Sequence, residues 1–125
     1  MARILLAEDD EAVRTLILRA LGEEGHAVTA AADGTQALDA LLAAAGRFDL
    51  LLADIKMPMM DGIALALAAA RDFPALPIVL MTGYADQRER ASGLDALVRD
   101  VLAKPFTLST LKSRVAAALS PRTQG

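Results

Sequence analysis

Short apolar runs recur along the chain, and most are followed by a stretch whose apolar positions are spaced three and four apart. Arg3–Ala7 predicts a first strand. Asp10 is placed to N-cap a helix with Val13, Leu16, Ile17, Ala20 and Leu21 on one apolar face, and Gly22 and Gly25 mark its end. Ala27–Ala31 is a weaker strand that suits a sheet edge. Asp33-Gly34 signals a turn. The helix after it turns Leu38, Leu41, Leu42 and Ala45 inward and stops at Gly46. Residues 49–53 predict a third strand, and residues 62–73 an Ala/Leu-rich helix ended by Pro74. Residues 77–81 predict a fourth strand, and Asp100–Ala103 a fifth. Residues 85–93 have weak periodicity and give the least defined helix. Thr107 can cap a last helix with Leu108, Leu111, Val115 and Leu119 on one side. Residues 1–120 then form one domain, and residues 121–125 a flexible tail. Five βα units imply an α/β fold: a parallel sheet with helices on both faces.

Composition narrows the chemistry. The chain has 125 residues, enough for one domain with its own core. Aromatic content is 3%, so the core is aliphatic. The net charge of −3 argues against nucleic acid as a partner, because phosphate backbones attract basic surfaces. With no cysteine, thiolate catalysis, disulfides and zinc-thiolate sites are excluded. The longest apolar stretch, residues 63–70, is too short to span a bilayer, and no signal peptide is visible. A cytoplasmic protein without a membrane partner is the expectation.

The polar residues that end the apolar runs carry the functional signal. Glu8-Asp9-Asp10 follows the first run, Asp54 the third, Thr82 the fourth and Lys104-Pro105 the fifth. Ligand sites in open α/β sheets lie beyond the carboxyl ends of strands, so these groups should converge on one rim. Glu8, Asp9 and Asp54 would crowd negative charge there. An all-oxygen set without His or Cys favours a hard cation such as Mg²⁺. Lys104 supplies a point charge for phosphate oxygens, and Thr82 a hydroxyl donor. The set fits an aspartyl-phosphate site with Asp54 as the nucleophile.

These motifs together resemble the response-regulator receiver domain over almost the whole chain. They are residues 4–10, residues 54–62 with Met57-Pro58 and Asp61-Gly62, residues 81–85, and Lys104-Pro105-Phe106. The resemblance implies a flavodoxin-like (βα)5 three-layer sandwich, CheY-like, with sheet order 2-1-3-4-5. It implies Asp54 as phosphoacceptor, Asp9 as a direct Mg²⁺ ligand, Glu8 acting through water, and Lys56 offering its backbone carbonyl. Thr82 and Lys104 would bind the phosphoryl oxygens, and the Lys104–Pro105 bond would be cis. The implied partner is a sensor histidine kinase or a histidine phosphotransfer protein. The only turnover implied is self-phosphorylation and self-dephosphorylation. Residues 2–10, 61–66, 82–85 and 101–106 also resemble CpdR-type stand-alone cell-cycle receivers, which implies an output through an ATP-dependent protease.

Other features weigh less. Many receivers carry an aromatic residue three positions before the strand-five lysine, and here Val101 stands there. Output is then expected through the segment after Thr82, up to Arg90. His26 reads as solvated surface, and Arg88 and Arg90 as a solvated helix face. Met57, Met59 and Met60 read as an adaptable apolar patch beside the site. Two alternatives stay open. One is a haloacid dehalogenase-type phosphatase, although Lys56 stands where that family carries a second acid. The other is a receiver cut from a hybrid kinase or a transcription factor.

Overall fold

The structure, a computed structural model, describes residues 1–83 and 89–120. Five strands form one parallel sheet: β1 (Arg3–Ala7), β2 (Ala27–Ala31), β3 (Leu50–Asp54), β4 (Ile78–Thr82) and β5 (Asp100–Ala103). Their order is β2-β1-β3-β4-β5, the flavodoxin-like arrangement. The helices are α1 (Glu11–Glu23), α2 (Gly34–Ala43), α3 (Gly62–Asp72) and α4 (Leu108–Leu119). Each starts on a side-chain cap: Asp10, Asp33, Asp61 and Thr107 accept from the backbone N–H three residues on. Among the described residues, no helix is long and apolar enough to cross a membrane.

Two apolar layers sandwich the sheet. Leu5, Leu51, Ala53, Ile78 and Leu80 pack with α2 and α3 on one face. Ile4, Leu6, Leu50, Leu52, Val79, Met81 and Leu102 pack with α1 and α4 on the other. β3 and β4 are buried on both faces, which is why their sequences read as unbroken apolar runs. β2 is the outer strand, and most of its residues are exposed.

Several expectations need correcting. Leu16 and Leu42 are each 51% exposed, because small Ala20 and Ala37 take the inward positions and let the helices sit close to the sheet. β3 and β4 each start and end one residue later than the apolar pattern suggests, so Asp54 and Thr82 are themselves strand residues. Gly34 is not a free turn residue. It opens α2 directly against the loop before α3, where a Cβ would lie 2.0 Å from the Met60 carbonyl oxygen. His26 is half-buried, and its Nδ1 accepts from the Ala2 N–H at 3.2 Å. Of the methionines, Met57 is buried and Met59 is exposed. Residues 89–91 are helical and lead into a 3₁₀ turn at Ser92–Leu94; most of the fourth predicted helix lies outside the described residues.

Candidate functional site

Strand register builds the site. Ala7 pairs with Ala53, so Glu8 and Asp54 fall on the next rung. Asp54 pairs with Met81, and Thr82 pairs with Ala103, which brings Lys104 to the same end of the sheet. Side chains alternate between faces along a strand. Ile4, Leu6, Leu50, Leu52 and Leu102 all lie in the layer under α1 and α4. Continuing the alternation puts Glu8, Asp54 and Lys104 on that one face. Thr82 continues the opposite face, that of Ile78 and Leu80. Parallel strands in register thus gather groups far apart in sequence onto one rim.

The three charged groups form one network. The Lys104 Nζ donates to Glu8 Oε1 at 2.8 Å and to Asp54 Oδ2 at 3.0 Å. Glu8 is fully buried, and its Oε2 accepts from the Asp10 N–H at 3.2 Å. Burial pushes the Glu8 carboxyl up, the Asp54 charge adds to that, and Lys104 offsets only part of it. Asp9 is also raised, by burial and then by Glu8. Burial works against charge on Lys104, but its bonds to Glu8 and Asp54 outweigh this and raise its pKa. Removing one member of such a network would leave a buried charge uncompensated. The Lys104–Pro105 bond is cis, as the resemblance implied.

Above this network lies an open cleft of about 600 Å³. Glu8, Asp9, Asp54, Lys56 and Lys104 line it, with Val13, Leu16 and Phe106 at its apolar side. A second cleft of about 650 Å³ lies at the other end of the sheet, around Met1, His26, Phe48 and Asp49. It contains none of the convergent acids.

The acids fit a small hard cation. Glu8, Asp9 and Asp54 each offer a carboxylate oxygen, and these oxygens lie within 4.8 Å of one another. Around Mg²⁺, with bonds near 2.1 Å, two ligand oxygens can be no more than about 4.2 Å apart. A water between Glu8 and the ion would leave Glu8 on Lys104. The Thr82 hydroxyl, at the same end of the sheet but on its other face, is buried and lacks a partner among the described residues. Lys56 is exposed at the cleft wall.

Three contributors were not read from the sequence. Gly62 opens α3 where a Cβ would lie 2.2 Å from the Asp54 carbonyl oxygen, so only glycine lets the helix start this close. Arg90 is not merely solvated: its Nη2 donates to Asp61 Oδ2 at 2.8 Å. Arg14 reaches back from α1 to the carbonyls of Glu8 and Asp9, at 2.9 and 3.4 Å. Its signal was a cation near a helix N-terminus, where the dipole disfavours one.

Comparison with known proteins agrees with this geometry. The sequence model of the response regulator receiver domain matches residues 4–116. The response regulator MprA of Mycobacterium avium (strain 104) is 40% identical over 117 residues, covering 94% of this chain and 50% of that protein. MprA of Mycobacterium tuberculosis matches to the same extent. The chain spans about half the length of the curated relatives it matches. Among solved structures, a receiver domain protein from Clostridium thermocellum superposes with a TM-score of 0.87 at 23% identity, which speaks to fold alone. TrrA from Thermotoga maritima, solved in complex with Mg(2+)-BeF, has a TM-score of 0.84 at 30% identity and covers 94% of this chain and 99% of that one. The MprA relatives give no support to the CpdR-type subtype.

Proposed function

We propose that this chain, which belongs to the response regulator receiver family, takes a phosphoryl group onto Asp54 from a phosphohistidine of a sensor kinase or a histidine phosphotransfer protein. As a receiver domain it is a regulator of two-component signalling rather than a metabolic enzyme. The family match decides against the haloacid dehalogenase alternative. One observation carries the assignment of the acceptor. Asp54 is a buried strand-end carboxylate held 3.0 Å from the Lys104 ammonium and beside Glu8 and Asp9.

The transfer forms a bond from an Asp54 carboxylate oxygen to phosphorus and breaks the P–N bond of the donor, whose imidazole leaves with the electron pair. Phosphoryl transfer needs mainly positioning and charge neutralisation. Lys104, already on Asp54, meets the incoming phosphoryl oxygens without a large movement. Thr82 turns its unpartnered hydroxyl to a phosphoryl oxygen. Asp9 and Asp54, with Glu8 through water and the Lys56 carbonyl as a further oxygen, would hold a Mg²⁺, which would supply neutralisation of the phosphoryl charge.

In this reading residues 1–120 are the receiver unit, and the output belongs to partners or to further sequence as in the longer relatives. No described residue speaks for a protease-linked output or for binding nucleic acid. Switching would run from Thr82 into the segment after it, and Val101 offers no ring to swing. Residues 84–88 of that segment lie outside the described residues. The test is intact mass spectrometry after incubation with acetyl phosphate and Mg²⁺. One phosphoryl group should be added, and Asp54→Asn should add none; labelling of that variant would sink the assignment.

A further inference from the structure

We propose that Arg14 is a positioning residue that holds the Glu8-Asp9 backbone in the geometry that binds the divalent cation. The proposal rests on the metal reading of the acidic cluster. Arg14 lies one turn into α1, and its guanidinium folds back over the start of its own helix. That end of a helix carries partial positive charge and disfavours a cation. What holds Arg14 there is two carbonyls: Nη1 donates to Glu8 O at 2.9 Å and, more weakly, to Asp9 O at 3.4 Å.

The consequence lies in which parts of the loop have other support. The Glu8 N–H is held by the Ala31 carbonyl at 3.1 Å, and the Glu8 carboxylate by Lys104 and the Asp10 N–H. The Glu8 carbonyl is held by Arg14. Asp9 is exposed, so beyond its contacts with Glu8 and its own backbone N–H its carboxylate takes its position from the peptide it hangs on. Arg14 holds the Glu8–Asp9 peptide through the Glu8 carbonyl and touches the Asp9–Asp10 peptide more weakly through the Asp9 carbonyl. A planar, always charged guanidinium keeps its Nη1 on the two adjacent carbonyls with less freedom than a flexible ammonium has. Groups that orient metal ligands from behind commonly change metal affinity about 10–100-fold when removed. Because the Asp9–Asp10 peptide is also held, by the Asp10 N–H on Glu8, the effect here belongs at the lower end, about tenfold.

The test is a Mg²⁺ titration followed by amide NMR shifts in the wild type, Arg14→Met, Arg14→Lys and Ile17→Val. Ile17 is buried on the same helix but faces the core, so its variant loosens α1 without touching the loop. Arg14→Met should bind Mg²⁺ about tenfold more weakly, Arg14→Lys should recover part of the loss, and Ile17→Val should keep wild-type affinity. In the metal-free proteins, Arg14→Met should move the Asp9 and Asp10 amides and leave those of Thr82 and Ala103 in place. Wild-type affinity in Arg14→Met, or an equal loss in Ile17→Val, would overturn the positioning role alone. Absence of Mg²⁺ binding in the wild type would overturn the metal reading itself, and the role with it.

Discussion

Replacing Gly62 with alanine should damage both stability and the site, and the size of the effect follows from one distance. The new Cβ would lie 2.2 Å from the Asp54 carbonyl oxygen and 2.9 Å from both the Asp54 carbonyl carbon and the Ile55 Cα. All three are backbone atoms, so no rotamer change relieves the contact. A tolerable separation needs a retreat of about 1 Å, and overpacking of this kind costs about 1–3 kcal/mol. The retreat also stretches the Gly62 N–H bond to the Ile55 carbonyl, now 2.8 Å, at a further cost of about 1 kcal/mol. Alanine's better helix propensity offsets at most about 1 kcal/mol. The net loss is about 1–3 kcal/mol, a fall in Tm of roughly 5–15 °C for a chain this size. Moving the Asp54 peptide by about 1 Å should also slow phosphorylation by up to about 100-fold. Urea unfolding and the rate of labelling by acetyl phosphate read the two effects. Gly22→Ala is the control: nothing lies within 4 Å of its Cβ, and it sits inside α1. It should stabilise by about 0.4–1 kcal/mol. A Gly62→Ala protein as stable and as reactive as the wild type would refute the close-packing argument.

Asp100 accepts both Nε and Nη2 of Arg114, and these bonds hold its carboxyl below the usual range against the opposing effect of burial. A depressed folded pKa contributes stability that is present above the unfolded value, about 3.9, and is lost as pH falls through the folded value. With Arg114 42% exposed, Asp100→Asn should cost only about 0.5–1 kcal/mol at pH 7 in urea unfolding, and the deficit should shrink as pH falls below the unfolded value and vanish once folded Asp100 is protonated. A deficit that does not change with pH would contradict this. Asp61 caps α3 and also receives Arg90, which with the Ala64 N–H lowers its carboxyl despite burial. Asp61→Ala should cost about 1 kcal/mol, mostly the cap, and Arg90→Ala a few tenths of that; equal losses would show that the ion pair dominates.

Much of the fold was legible because a doubly covered parallel sheet writes itself as apolar runs, and because all but the second of these runs end in a polar residue that the register brings to one rim. Glu8, Asp54, Thr82 and Lys104 could be named from that punctuation alone. The inward faces of α1 and α2 were less legible. Hydropathy favours Leu16 and Leu42, but close approach of helix to sheet favours the small Ala20 and Ala37. Gly34 and Gly62 were invisible as packing residues, since a missing Cβ has meaning only beside the backbone that approaches it. Arg14 and Arg90 look like ordinary surface cations until the chain places carbonyls and a capping carboxylate within their reach.

The same placement explains why the site joins a lysine to so many acids. Glu8 and Asp54 bond the Lys104 ammonium and Asp9 adjoins them, so these four groups, fully ionised, carry two surplus negative charges. Burial first, and those charges after it, raise the Glu8 and Asp9 carboxyls, a sign that the folded protein tolerates the cluster rather than gains from it. Lys104 cannot relieve it alone, because its Nζ is already shared between Glu8 and Asp54. A divalent cation closes the balance. A dianionic phosphoryl group would then reopen it unless Lys104 could turn to the new oxygens. Glu8 is fully buried, and its carboxylate accepts from the Asp10 N–H as well as from Lys104, so it keeps one hydrogen bond whichever oxygen Lys104 favours.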